Sequence, residues 1–198
     1  VSFYAILVGV VLGTLLAILR LPQIQHMRSR GKAFLPSMGA VIVRMLSKFA
    51  GMYINIMRGT PLLLQVLIIN FGIFGSVRID KVIVGVIACG LNSAAYVAEI
   101  VRGGIQSVDP GQMEASRSLG LGYGKTMQKV IIPQAIKIMT PSFINQFVIT
   151  LKDTSLLAVI GFAELTYQGQ QVYAVNFRTA EVLIIVAALY FIVITLLT

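Results

Sequence analysis

Gln112-Met113-Glu114-Ala115-Ser116-Arg117-Ser118-Leu119-Gly120, followed further on by Ile132-Pro133, is a polar passage in a chain otherwise suited to lipid. Over 198 residues, 57% are hydrophobic and only 12% charged, with a mean hydropathy of +0.89. Soluble domains carry about a quarter charged residues, so the solvent of most of this chain is a bilayer. A membrane protein that sets a polar island, residues 103 to about 130, between apolar runs is docking something there.

Outward from the island the apolar residues come in continuous runs. Strict alternation, which a lumen and a lipid face would impose on a β-barrel, is absent. A helix needs about 20 apolar residues to cross roughly 30 Å of hydrocarbon. The expected fold is an all-α membrane protein with about five transmembrane helices in one domain, residues 1–198, with the N-terminus outside and the C-terminus inside. The first run, Tyr4 to Leu19, is followed by Arg20, His26, Arg28, Arg30 and Lys32, whereas a signal peptide has its positive charge in front. It reads as a spanning helix, and the Gly9 and Gly13 spacing fits either close approach of a neighbouring helix or, equally well, ordinary glycine use in membrane helices. A chain that opens on Val1 rather than Met is expected to have its natural start upstream.

Charge sets the topology. From Arg20 to Arg58 there are seven Lys or Arg residues and no Asp or Glu, which places this segment on the cytoplasmic side. Within it, residues 37–56 are apolar enough to tempt a span, yet Arg44 and Lys48 share a helical face. Each central cation would cost about 3 kcal/mol, so an interfacial or packed helix is expected there. Arg58-Gly59-Thr60-Pro61 then predicts a turn, with Thr60 as N-cap, Pro61 at the first helical position and a helix from Leu62 to about Ser76. The next span, Val82 to Val101, holds Asn92, Ser93, Tyr96 and Glu99, polar groups that normally face a bundle or a wet cavity. In the island, Asp109, Pro110 and Gln112 predict a short capped helix ended by Gly120 and Gly122. Pro133 and Pro141 predict a bent or broken fourth span, and Val182 to Leu197 is the last.

Catalysis is not indicated by the residues. There is no G-x-x-x-x-G-K-[ST] loop, and Gly103-Gly104 lacks the Lys and hydroxyl that hold phosphate and magnesium. His26 stands alone in a basic loop as a surface residue, and Cys89 stands alone in an apolar run as a small packed one, so neither a nucleophile with its base nor a metal set is expected. The net charge of +9 follows from the loops and does not point to nucleic acid.

Several passages together resemble a known family. Glu114-Ala115-Ser116, Gly120 and Ile132-Pro133 look like the signature cytoplasmic loop of permease subunits of ATP-binding cassette importers. Arg58-Gly59-Thr60-Pro61-Leu62-Leu63, the run from Leu91 to Ile100, the run from Arg102 to Val108, and Leu151-Lys152-Asp153-Thr154-Ser155-Leu156 resemble the polar amino acid permeases of the histidine and glutamine uptake type. The resemblance implies that Glu114, Ala115, Ser116 and Gly120 form a coupling helix seated on a cytoplasmic ATPase dimer, which carries the ATP and magnesium; this chain carries no cofactor. It further implies a second permease copy or homologue forming a two-fold pore, an external solute-binding protein, and a multi-pass position in a bacterial inner membrane. Physically, a proline-bounded short helix transmits a rigid push, Glu114 offers a charge to a basic groove, and small Ala115 and Ser116 permit close approach.

For the cargo, Lys152 lies fifteen residues past Lys137, roughly 22 Å of helix rise and so deep in the membrane. It is expected to hold the α-carboxylate of an amino acid, with Gln146 in the same cavity, unless it merely pairs with Asp153 or Glu99. Asn92, Glu99 and Gln146 are candidates for the ammonium and side-chain ends, with Asp153 and Tyr96 beside them and Thr60 and Gln65 as weaker candidates. A neutral Gln146 favours glutamine or another neutral polar amino acid. Two other readings exist: an ion-coupled secondary transporter with Glu99, Lys152 and Asp153 as ion sites, and an assembly subunit without substrate.

Overall fold

The computed structural model describes residues 1–21 and 38–197. The readings placed on His26, Arg28, Arg30 and Lys32 lie outside those residues. Nine α-helices account for the described fold, with no strand among the described residues: α1 (Ser2–Arg20), α2 (Met38–Gly59), α3 (Leu62–Leu67), α4 (Lys81–Gln106), α5 (Pro110–Ser118), α6 (Tyr123–Thr126), α7 (Ile132–Asp153), α8 (Leu165–Asn176) and α9 (Thr179–Leu197). α3 runs on as a wider π-turn over Ile68–Ile73, Met127–Ile131 forms a second π-turn before α7, and a 3-10 turn over Thr154–Ile160 extends α7.

α1 and α4 are the central pair, and they run parallel. Gly9 lies on Ser93 and Gly13 on Val97, so residue number rises together along both helices. The approach is close enough that only glycine fits: a Cβ on Gly9 would stand 2.6 Å from the Ser93 hydroxyl oxygen, and one on Gly13 would stand 2.7 Å from the Ala94 carbonyl oxygen. In lipid, such van der Waals packing replaces hydrophobic burial as the force that joins helices. Two apolar clusters flank the pair. Ala17, Ile54, Ala98, Val101, Ile131, Ala135 and Met139 form one; Ala5, Val66, Val84, Ala88, Cys89 and Leu157 form the other, where Cys89 is the small packed residue its context predicts.

α2 packs on the bundle through buried Ala50 and Ile54, with Tyr53 and Met57 beside them. It ends where Thr60 precedes Pro61, because proline disfavours helical dihedrals in the residue before it, and the chain turns 107° into α3. Three expectations are corrected here. Thr60 does not cap α3, since its hydroxyl donates back to the Ile56 carbonyl oxygen at 2.8 Å. The helix after the bend stops at Ile73, not Ser76. Twelve residues rise only about 18 Å, so this segment counts as a crossing only together with Val41–Gly59, which raises the four long apolar helices to five spans.

The fourth span departs from expectation as well. Pro133 occupies the first turn of α7, where an N–H is not needed, and α7 continues through Pro141 without breaking. The break falls at Gly161, whose φ of 73° ends the 3-10 turn. Lys81 donates to the Gly161 carbonyl oxygen at 3.1 Å, while Glu164 accepts from the Thr166 and Tyr167 amides to start α8 and from the Tyr190 hydroxyl of α9. The five-span reading leaves α8 unassigned, because Gln168, Gln170 and Gln171 interrupt its apolar pattern.

Gly13→Leu should destabilise the bundle by about 1–3 kcal/mol through overpacking, whereas Gly59→Ala, with nothing within 4 Å of the added carbon, should be nearly neutral. Thermal unfolding of the detergent-solubilised chain, read by circular dichroism, checks both.

Candidate functional site

Polar residues gather at the bend between α2 and α3. Gln65 donates to the Met57 carbonyl oxygen (2.9 Å), the Thr60 carbonyl oxygen (3.1 Å) and the Thr60 hydroxyl (2.8 Å). Asn92 reaches across from α4, donating to Gln65 Oε1 at 3.0 Å and to the Met57 carbonyl oxygen at 3.3 Å. Both amides are buried. Buried polar groups must find partners, and these two find them in carbonyls that the end of α2 leaves open. The bend is therefore pinned to α4 by side chains.

Below the bend a charge cluster ties three helices. Glu99 of α4 accepts from Arg20 of α1 at 2.7 Å and from Arg102, one turn on, at 2.6 Å, with Arg58 of α2 at 3.9 Å. Arg102 also donates to Gln106 at 2.8 Å. Charge-assisted bonds of this kind are stronger than neutral ones. The Glu99 carboxylate is thus engaged by arginines and lies outside the lining of the cavity beside it.

Beside the network lies a cavity of about 550 Å³, open on one side, between the bend, α4 and α7. Its polar lining comprises Arg58, Thr60, Asn92, Tyr96, Gln146 and Asp153. The Arg58 guanidinium stands over the Tyr96 ring, 5.5 Å from its centre, a cation–π arrangement. Gln146 is buried and donates to the Thr150 hydroxyl at 3.3 Å. Asp153 is half-buried and without an ion pair among the described residues.

Lys152 does not join them. It is exposed, lies outside the cavity lining and pairs with neither Asp153 nor Glu99. The reason is angular: six residues at about 100° each set Lys152 about 120° away from Gln146 around the helix. Of the site residues expected from sequence, the structure therefore brings together Asn92, Tyr96, Gln146 and Asp153, and leaves out Lys152 and Glu99. Arg58 is the cavity cation that sequence reasoning missed, having read it only as part of a turn; a cation three residues before a proline break inside apolar sequence was the available signal.

A second feature stands at the end of the bundle that holds Arg102. The island begins at Ser107, since α4 runs through Gln106. Asp109 accepts from the Gly111 amide at 2.8 Å to start α5, but Gln112 does not return the cap and is instead in reach of Gln134 at 3.4 Å. Gly120 ends the helix at φ 79°, where Gly120 N bonds to the Arg117 carbonyl and Leu121 N to the Ser116 carbonyl, the Schellman pattern; Gly122 instead leads α6. Met113 packs with Val108, Met127 and Ile131 on the core. Glu114 and Ala115 are exposed, whereas Ser116 is buried, its hydroxyl donating to the Gln112 carbonyl at 2.7 Å, so it offers no contact surface. Leu119, 84% exposed, presents an apolar side chain beside them and was not singled out from sequence.

Residues 34–198 match the family described as "Binding-protein-dependent transport system inner membrane component". The chain belongs to this family. It is a multi-pass membrane protein of a transport permease family. Among curated relatives, the glutamine transport system permease protein GlnP of Escherichia coli (strain K12) is 44% identical over 144 residues, 71% of this chain and 66% of that protein. The arginine transport system permease protein ArtQ of Bacillus subtilis (strain 168) is 38% identical over 151 residues, 75% of this chain and 69% of that protein. This permease chain thus spans about two thirds of the length of those relatives. A crystal structure of an amino acid ABC transporter with histidines superposes with a TM-score of 0.83 at 40% identity, covering 99% of this chain and 83% of that one. An inward-facing MetNI methionine ABC transporter shares the fold alone, with a TM-score of 0.69 at 19% identity, covering 99% of this chain and 83% of that one.

Gln65→Leu or Asn92→Leu should each cost about 1–3 kcal/mol by orphaning the remaining buried amide. The double substitution should cost less than the sum, as expected of coupled neighbours. A double-mutant cycle on thermal stability in detergent measures this, and strict additivity would show that the amides do not act together.

Proposed function

We propose that this chain is the permease subunit of an ATP-driven importer that carries a polar, neutral amino acid, glutamine in particular, across a bacterial inner membrane. The observation that supports it most is the cavity holding one cation, Arg58, and one free carboxylate, Asp153, with the neutral amide of Gln146 beside them. A zwitterion matches that set. Arg58 takes the α-carboxylate, for which a planar guanidinium is suited; Asp153 takes the ammonium; Gln146 sorts the side chain by hydrogen bonding; Asn92 and Tyr96 shape the wall. Glu99 stays with its arginines and leaves no second carboxylate for a cationic side chain. The relatives that carry glutamine transport in their names agree with this cargo.

The family supports an ATPase and a solute-binding protein as partners in general, and we infer the arrangement from it. A cytoplasmic ATPase dimer supplies hydrolysis and seats on the island, about residues 107–130, through Glu114, Ala115 and Leu119, with Gly120 fixing the end of α5. A second permease copy or homologue closes the open side of the cavity into a pore, and an external solute-binding protein delivers the amino acid. The orientation is N-terminus out and C-terminus in, supported by Arg20, Arg102, Arg117, Lys125 and Lys129 on the segments around the island and by the positive-inside rule.

Co-expression with the ATPase and the second permease, followed by ATP-driven uptake of labelled glutamine into proteoliposomes supplied with the solute-binding protein, tests this reading. Asp153→Asn should raise the KM for transport roughly tenfold or more, as loss of a charged hydrogen bond does. Leu119→Asp should abolish ATPase co-purification while helical circular dichroism stays unchanged. Uptake that proceeds without ATP would refute the proposal.

A further inference from the structure

α2 divides into two faces. Arg44, Ser47, Lys48, Gly51 and Asn55 follow one side of the helix, while Ile42, Met45, Phe49, Met52 and Ile56 follow the other as exposed apolar side chains. At the edge of the polar face is an open cleft of about 580 Å³ where the end of α1 meets α2, with Arg20 and Lys48 in its lining. The Arg20 guanidinium lies across Gly51, within 4 Å of where a side chain there would begin. The charge of Arg20 is answered by Glu99. Lys48 and Arg44, one turn earlier, have no ion pair among the described residues, and the sequence from Arg20 to Arg58 holds no acid.

From this arrangement we infer that the cleft between α1 and α2 binds the phosphate of an anionic phospholipid of the cytoplasmic leaflet. The inference goes beyond the transport reading and depends on it only for orientation. Arg44 and Lys48 stand on the part of α2 away from the bend, toward the Arg20 end of α1 that the positive-inside rule puts on the cytoplasmic side, so the cations sit at headgroup level while the exposed apolar side chains run on into the acyl layer. Lys48 in the cleft lining meets the phosphodiester, Arg44 one turn earlier on the same face adds a second positive charge nearby, the Asn55 amide adds a neutral donor, and Met52 and Ile56 lie along the first acyl carbons. A protein occupant would bring carboxylates to the cations and cover the apolar stripe evenly. A lipid instead supplies one anion and one continuous apolar chain, as the faces of α2 require.

The chain contains no tryptophan, so Met52→Trp places a single fluorescent reporter at the cleft. The chain carrying it is reconstituted into vesicles in which either phosphatidylglycerol or phosphatidylcholine bears bromine on its acyl chains, and quenching of the tryptophan is read. Stronger quenching by the brominated phosphatidylglycerol is expected. Arg44→Gln with Lys48→Gln should lower that preference about thirtyfold, the loss of two cations at an anionic surface, with helical circular dichroism unchanged. Equal quenching by the two lipids, or none, would overturn the inference without touching the transport reading, which rests on uptake. So would an unchanged preference in the double variant, or displacement of the lipid by millimolar glycerophosphate, which would mark a site for soluble anions.

Discussion

The Glu99 carboxylate draws Arg20, Arg58 and Arg102 to one point and with them the ends of α1 and α2 to the side of α4. Isolated surface ion pairs contribute little, but this one is largely shielded, with 19% of the Glu99 side chain exposed, and takes hydrogen bonds from Arg20 on α1 and from Arg102 one turn on in its own helix. Everything above it depends on the result. Arg58 is held near Glu99 and over Tyr96 just where Pro61 ends α2, and the Gln65 and Asn92 amides fasten the turn that follows. The cavity is the space that this fixed turn leaves against α7.

The same two helices connect the cavity with the island. α4 carries Asn92, Tyr96 and Glu99 and leads through Gln106 and Ser107 directly to α5. α7 carries Gln146 and Asp153, and its base, with Ala135 and Met139, shares one apolar cluster with Val108 and Met113. Packed interiors transmit displacement rather than absorb it. A push on Glu114 and Leu119 therefore reaches both walls of the cavity, while the Schellman turn at Gly120 keeps α5 from yielding first. Gly161 divides the far end of the path, where Lys81 meets the 3-10 turn and Glu164 starts α8; each charge faces the helix end of opposite partial charge.

The class and the island were legible from composition and capping, since lipid demands long apolar runs and Asp109, Pro110 and Gly120 are local signals. Close packing at Gly9 and Gly13 was one of two readings of their spacing, and the structure takes it. The failures lie where tertiary contacts chose among local options. Thr60 had a capping sequence, yet the Gln65 amide offered its hydroxyl a better partner. Pro141 read as a bend or a break, but the helix runs through it, as membrane helices tolerate proline where neighbours hold it; the α-helix gives way at Thr154 to the 3-10 turn that left-handed Gly161 ends. Lys152 was chosen for depth, which counts residues along the axis; angle around the axis decides which side chain reaches a cavity. Arg58 was hidden because its distance from Asp153 in sequence gives no hint that a turn of 107° brings both to one space.

The central claim is that substrate passes through the cavity at the bend, whose walls move with α5. Ile149 lines that cavity, and the natural thiol, Cys89, is buried. Ile149→Cys in the assembled transporter can be titrated with a charged, membrane-impermeant maleimide, with and without glutamine, and again after trapping the ATPase with vanadate. Slower labelling by about tenfold with glutamine, as expected when a ligand occludes most of its site, and a further change on trapping are the expected results. A labelling rate that ignores both would contradict the claim.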